Sequence, residues 1–313
     1  MKIKGQTFKK IKDSEFTGSE VYKSSDGLKY LRISKTKNIM KDEALYVESL
    51  YNLGFPVPRV IERGQIGNRE YYIEQSIGKI TLGDKFNKEY ILQGKINQNT
   101  FKYFCNIICD YFNAQLNSLI DSTKQFNVEK VIMLSNVLKE NPDLDSLKVK
   151  KCIEKINKRL LTLPNVFSHG DLTPRNTFNS GIIDFEFHFI APAGFDILTA
   201  PLIESFWNFK DAKGKKNRMF YLNQKQINYY FNKINIIAEQ HHLSGFLSFV
   251  DDFLLLKAFY MLAYEKKFAK VSGDTSKWKF RKKILIHFME SYLGDKKIDI
   301  GKFINFETNI KML

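Results

Sequence analysis

A chain of 313 residues, 43% of them hydrophobic, is long enough for one large domain or two lobes and can fill a core. No apolar stretch of about 18 or more uncharged residues occurs, so no transmembrane segment is expected, and the start MKIKGQTFKKIKD lacks the apolar core of a secretory signal. The net charge of +15 implies attraction to polyanions, yet Lys is spread along the whole chain and no nucleic-acid motif accompanies it. Specific nucleic-acid binding is therefore not expected, while peripheral contact with an anionic surface stays open.

Three cysteines, Cys105, Cys109 and Cys152, are few and odd in number, which suits a reducing cytoplasm. Cys105 and Cys109 lie one helical turn apart, but no nearby His or further Cys completes a soft-metal site, so they read as helix residues.

In chain order, residues 14–34 read as three short strands. Glu15-Phe16 leads to a turn at Thr17-Gly18-Ser19, whose backbone N–H groups could approach a phosphate. Val21-Tyr22-Lys23 continues outward, Asp26-Gly27 is a hairpin turn, and residues 28–33 return with alternating character. That alternation sets Arg32 on one strand face with Leu28 and Tyr30, pointing into a cleft. Residues 41–53 read as a helix with an apolar stripe through Ala44, Leu45, Val47, Leu50 and Tyr51 and with Glu43 in its first turn. Gly54 ends it, and Phe55-Pro56-Val57-Pro58 stops any continuation. Residues 59–63 and 71–74 form the next strand pair, turning through 64–68. From about 91 to 163 the chain is mostly helical, with a stripe through Phe101, Phe104, Cys105, Ile108, Tyr111 and Phe112 that reads as core. Asn141-Pro142-Asp143 breaks the helices, and a basic helix over 147–161 follows.

Residues 166–186, VFSHGDLTPRNTFNSGIIDFE, organise the rest. Two short apolar runs, Val166-Phe167 and Ile182-Ile183, flank a loop that carries Asp171, Asn176 five residues later and Asp184 eight residues after that. Phosphoryl transfer suits this hairpin. The donor oxygens need a divalent cation, and the acceptor hydroxyl needs a carboxylate to hold it in line and take its proton. Magnesium prefers oxygen ligands and keeps several waters, so one amide oxygen and one carboxylate, Asn176 and Asp184, are enough if ATP supplies the rest. Asp171 would be the base. The order Asp, Asn, Asp reproduces that of the kinase catalytic loop and metal-binding Asp.

Beyond the motif, Ala191-Pro192-Ala193-Gly194 reads as a turn and Phe195-Asp196-Ile197-Leu198 as the start of a helix. Residues 200–313 are helical and rich in rings, most of them core, although an aromatic cage there could hold a quaternary ammonium ion. Glu204, Asp251, Asp252 and Glu265 are acids that could meet an amine. Two basic clusters stand out: Lys210, Lys213, Lys215, Lys216 and Arg218 around Gly214, and Lys277, Lys279, Arg281, Lys282 and Lys283 interleaved with Trp278 and Phe280. They read as solvated faces, or as contacts for an anionic acceptor or membrane surface.

His169-Gly170-Asp171-Leu172-x-x-x-Asn176 followed by Ile182-Ile183-Asp184-Phe185-Glu186 resembles the aminoglycoside phosphotransferase and choline kinase families, relatives of the protein kinases. Asp184-Phe185-Glu186 with Gly194-Phe195-Asp196-Ile197 looks closest to the choline and ethanolamine kinase branch. A weaker match runs from about residue 15 to about 205.

The resemblance implies a two-lobed, kinase-like α+β fold. A small antiparallel-sheet lobe, residues 1–77, would bind the nucleotide, and a larger helical lobe, 78–313, would carry catalysis and the acceptor. It implies a cytoplasmic small-molecule kinase using ATP and Mg2+, with a hydroxyl acceptor that is choline- or ethanolamine-like, an aminoglycoside or a sugar. Gly18 and Ser19 would meet the phosphates. Arg32 stands where the family has a Lys on the phosphates, with Glu43 as its partner; Arg keeps the charge but is larger and planar. Gln75 and Ile77, in a linker over 74–78, would meet the adenine through their backbone. His169 would be scaffold, Asp196 would tie the catalytic loop to the core, and Glu186 is open between a second cation and a satisfied strand end. The alternatives are an anionic cell-envelope saccharide or lipid-linked glycan as acceptor, or a non-catalytic nucleotide-binding scaffold.

Overall fold

The computed structural model describes residues 1–13, 19–34, 39–120, 126–263 and 265–300. The expected strand at Glu15-Phe16 and the turn residue Gly18 lie outside them. The chain divides into two compact units: Met1–Lys85 with Asn99–Ser118 and Phe167–Phe189, and Phe86–Gln98 with Leu119–Val166 and Ile190–Leu313.

The first unit is built on an antiparallel six-stranded sheet from β1 (Lys2–Ile3), β2 (Gln6–Asp13), β3 (Glu20–Ser24), β4 (Lys29–Ile33), β5 (Val60–Ile66) and β6 (Arg69–Gln75), in the order β1-β2-β3-β4-β6-β5. One face carries the core residues Ile3, Phe8, Tyr22, Leu31, Ile33, Tyr71 and Ile73. The register makes Leu31 the centre of this face, because it lies opposite both Tyr22 and Ile73. Residues with the other parity on β4, Tyr30 and Arg32, point to the opposite side, as the alternation of the sequence requires. The sequence reading put the first strand after residue 14; the sheet instead begins at Lys2 and takes β2 as the partner of β3. It also made the 64–68 turn too long, since β5 and β6 pair as far as Ile66 and Arg69.

Helix α1 (Ile39–Asn52) lies against β5 and β6. It buries Glu43, Ala44, Val47 and Leu50, whereas Leu45 and Tyr51, expected in the stripe, are exposed. The helix ends in a Schellman arrangement: Gly54 has φ +82, its N–H donates to Tyr51 O at 3.1 Å, and Phe55 N–H donates to Leu50 O at 3.0 Å. The start of α2 (Leu82–Gln93), most of α3 (Gln98–Asn117) and the ribbon of β8 (Thr177–Phe178) with β9 (Gly181–Ile182) complete this unit. All six residues of the expected α3 stripe are buried, Cys105 among them.

In the second unit α4 (Val128–Val131), α5 (Leu134–Glu140) and α6 (Ser146–Leu160) are followed, after the motif, by α7 (Gln224–Gln240), α8 (Val250–Leu262), α9 (Glu265–Ser272) and α10 (Ser276–Leu293). Asp145 caps α6 by accepting from Leu147 N–H at 3.0 Å and Lys148 N–H at 3.1 Å. Helix α8, mostly apolar and buried around its whole circumference, packs against α6 and α10. The strands β7 (Asn165–Ser168) and β10 (Phe189–Pro192) pair with each other. Residues 191 and 192, expected in a turn, are therefore strand, and 193–202 form successive turns rather than a regular helix. Two i→i−4 bonds, Leu198 N–H to Gly194 O and Ala200 N–H to Asp196 O, are as helical as this stretch becomes.

Three of the four acids of the aromatic region are engaged, whereas Asp251 Oδ1 is buried without a partner among the described residues. Asp252 accepts from Arg159 Nε at 2.9 Å and from the Tyr292 hydroxyl, Glu265 pairs with Arg281 and with Lys277 at 2.9 Å, and Glu204 accepts from Met219 N–H at 3.1 Å. Arg281, expected on a solvated face, is buried. No helix among the described residues is long and apolar enough to cross a membrane.

Leu31→Ala should lower the unfolding free energy by about 2–5 kcal/mol, read from denaturant midpoints, whereas Ile91→Ala on an exposed helix position should change it little. Equal midpoints for both variants would contradict this account of the sheet core.

Candidate active site

The motif loop is held by its own polar groups. β7 ends at Ser168, and the fully buried His169 follows. Its Nδ1 accepts from Asp171 N–H at 3.1 Å and its Nε2 lies 2.8 Å from Ile183 O, which fixes the Nε2–H tautomer and leaves Nε2 donating. One ring thus ties the Asp171 loop to the strand that delivers Asp184, consistent with a scaffold role. Gly170 has φ +82, and a Cβ there would stand 2.1 Å from Phe187 O. The backbone approaches so closely that no side chain fits.

Thr173 opens a short 3-10 turn over Pro174–Asn176 by accepting from Arg175 N–H at 3.2 Å. The Asn176 amide Nδ2 donates to Asp171 O at 2.9 Å, which turns the amide so that Oδ1 is the atom left to accept. Asn176 O accepts from Ile183 N–H at 2.9 Å, so Asn176 and the Asp184 strand are adjacent. Asp184 has φ +74, a costly conformation for a residue with a side chain and one that clusters at functional sites.

Across from this loop sits Arg32, only 5% exposed, among three carboxylates. Its Nη1 donates to Asp184 Oδ1 at 2.7 Å, its Nε donates to Glu74 Oε1 at 3.0 Å, and Nη1 is 3.8 Å from Glu43 Oε1. Tyr72 donates its hydroxyl to Glu43 Oε1 at 2.9 Å, and Glu43 Oε2 is buried without a partner among the described residues. Burial pushes the Glu43 carboxyl up to about 7 against the pull of Arg32, with Asp184 adding to the rise. Burial likewise raises Glu74, opposed by Arg32. For Asp184 burial is outweighed by Arg32 and then Lys12, and its carboxyl is held below the usual range. A single guanidinium thus meets two buried acids, Glu43 and Glu74, and the partly buried Asp184, and such a carboxylate-rich setting fits a further cation.

A cavity of about 410 Å³ opens beside this cluster. Of the residues singled out from the sequence, Ser19, Arg32, Gln75, Ile77, Asn176, Asp184 and Glu186 line it. Glu43 and Asp171 do not: Glu43 is reached through Arg32, and Asp171 through Asn176. Asp196 is buried in the other unit. The linker backbone is partly committed, because Gln75 N–H donates to Arg59 O at 2.9 Å and Ile77 O accepts from the Ser180 hydroxyl. Apolar Ile11, Val21, Phe178 and Ile183 form a part of the lining that suits a flat ring.

The sequence reading missed Lys12 and Arg175, and it placed Glu74 at a strand end and in the linker with no role for its side chain. Glu74 is aimed by the β4–β6 register, which sets Tyr30 opposite Glu74 and Arg32 opposite Tyr72. The alternation Tyr72, Glu74 was a signal for it. Among the described residues no three His, Cys, Asp or Glu side chains come together to hold a metal by themselves. Asn176 Oδ1 and the Asp184 carboxylate suit a hard cation that draws its other ligands from phosphate and water.

No protein-family model matches the chain, and no curated protein matches it in sequence. Solved structures match its fold. The apo form of a thermostable mutant of aminoglycoside phosphotransferase APH(4)-Ia is similar over 92% of this chain and 95% of its own, with a TM-score of 0.57 and 13% identity. A ternary complex of that enzyme with ADP and hygromycin B gives 0.57 and 12% over 91% and 94%. APH(3'')-Id from Streptomyces rimosus with ADP and streptomycin gives 0.51 and 14% over 81% and 92%. The fold is therefore the two-lobed, kinase-like α+β fold of the aminoglycoside phosphotransferases, as the motif resemblance implied.

Two predictions follow from the site's own groups. Gly170→Ala should destabilise the protein by about 2–4 kcal/mol; an unchanged melting temperature would refute the close approach to Phe187. Glu43 keeps its proton to about pH 7 in the folded state but releases it near the ordinary carboxyl value of 4.5 when unfolded. The folded state binds more protons in between, so stability should fall as pH rises across that window and level off above it. Melting curves should show a slope of roughly 1 kcal/mol per pH unit that Glu43→Gln removes.

Proposed function

We propose that this protein is a phosphotransferase that moves the γ-phosphate of ATP, with Mg2+, to a hydroxyl of a small molecule. The observation that carries the reading is the convergence of Asn176 and Asp184 on one cavity, with Asp171 tied to Asn176. Bound between the phosphates and these two side chains, the cation would neutralise the donor oxygens. Asp171 orients the acceptor hydroxyl and receives its proton at a carboxylate oxygen. Asn176 holds the Asp171 loop through its Nδ2 and offers Oδ1 to the cation. Arg32 keeps Asp184 ionised and in place. Ser19 and Gly18 meet the phosphates, and the Ile77 N–H meets the purine against the apolar lining.

The fold neighbours whose complexes hold ADP with hygromycin B or streptomycin support a small-molecule acceptor, with aminoglycosides, choline-like alcohols and sugars as candidates. A neutral or anionic acceptor, such as an envelope saccharide or lipid-linked glycan, is favoured by a separate observation. Asp252, Glu265 and Glu204, three of the four acids that could meet a cationic acceptor, are engaged by internal partners, and the net charge is +15.

The test is magnesium-dependent ADP release across a panel of choline, ethanolamine, aminoglycosides, sugars and anionic saccharides. Asp171→Asn should lower acceptor-stimulated turnover about 10²–10⁴-fold with ATP affinity retained. Nucleotide binding without turnover on any acceptor would instead favour a non-catalytic scaffold.

A further inference from the structure

On the reading of the cavity as a nucleotide site, on which this inference rests, we propose that Lys12, and not Arg32, is the side chain that meets the nucleotide's phosphates. Arg32 holds the position on β4 from which a cation would be expected to reach them, but it is buried and two of its donors are committed to carboxylates. Nε is held by Glu74 at 3.0 Å and Nη1 by Asp184 at 2.7 Å, and the side chain is 5% exposed. Turning Nη1 toward a phosphate would break the 2.7 Å bond that holds Asp184 and leave that carboxylate the more distant Lys12 Nζ at 3.9 Å.

Lys12 has the opposite character. Its side chain is 63% exposed, it lines the same cavity, and its Nζ lies 3.9 Å from Asp184 Oδ2, an ion-pair distance too long for a hydrogen bond. Among the described residues, all three ammonium donors therefore remain to be directed. The neighbouring Lys10, by contrast, is paired with Glu20 at 2.8 Å. The backbone explains why Lys12 faces the cavity. In the β2–β3 ladder Lys10 pairs with Tyr22 but Lys12 pairs with Val21, so Ile11 is an extra residue and the strand carries a bulge. A bulge re-aims the side chains beside it, and both Ile11 and Lys12 line the cavity. A flexible ammonium next to the proposed cation ligand Asp184 is placed to follow the terminal phosphate as its charge redistributes. Arg32 then acts on Asp184, and Lys12 acts on the nucleotide.

The experiment is calorimetric titration of the full chain with ATP, ADP and adenosine in the presence of Mg2+. Wild type should bind ATP more tightly than adenosine. Lys12→Met should weaken ATP by about tenfold or more with adenosine unchanged and the melting temperature preserved, and Lys12→Arg should restore most of the affinity. Wild-type ATP affinity in Lys12→Met would overturn the proposal, as would a loss seen in Arg175→Met, the third cation of the lining, instead. Failure of the wild type to bind any of the three ligands would overturn the nucleotide reading itself and this inference with it.

Discussion

The guanidinium of Arg32 is the interaction on which the first unit depends. It is contributed by β4 and bound by carboxylates from α1, from β6 and from the segment after β9, so one buried cation links four parts of the chain. Buried acids of this number are unfavourable unless a positive charge and hydrogen bonds satisfy them. Arg suits the task better than Lys because its donors are spread over a planar fork and reach several partners at once. The same arrangement orients Asp184, whose backbone already sits in a conformation that side chains avoid.

His169 and Gly170 supply the second constraint. The ring spans the loop of Asp171 and the carbonyl of Ile183, and the missing side chain of Gly170 lets the loop lie against Phe187. The three polar residues of the motif are thus positioned largely by backbone contacts, with one long side-chain bond from Asn176 Nδ2 to Asp171 Oδ2 at 3.5 Å. The Asn176 amide links two of them directly, through Asp171 O at 2.9 Å.

How much of this was legible in the sequence depended on the range of the interactions. The α3 stripe, the α1 boundary at Gly54 and the order of Asp171, Asn176 and Asp184 were all readable, because periodicity and spacing act over a few residues. The pairing of Arg32 with Glu43 was half visible: the two do approach, but the closer partners are Asp184, 152 residues away, and Glu74, 42 away. Strand register decides such contacts, and a single sequence does not encode register in any local pattern. Strand β2, QTFKKIKD, is not evident from the sequence because its lysines and its bulge break the period of two. The acids near the aromatic region seemed open to an amine because their partners lie elsewhere in the chain; Arg159 is 93 residues from Asp252. Residues 193–202 show a further limit, since an apolar run beginning at Gly194 reads as a helix, whereas the chain there turns repeatedly.

The three-acid cage also shapes which sequences can be reached from this one. A change at Arg32 alone strands buried negative charge, and a change at Glu74 alone leaves the guanidinium under-compensated, so each single step is unfavourable where the joint replacement is not. Drift at these two positions is therefore expected to be correlated, with the pair changing together or not at all. A lysine introduced at position 32 to imitate the kinase pattern would enter a background that fits it poorly until Glu74 changes as well.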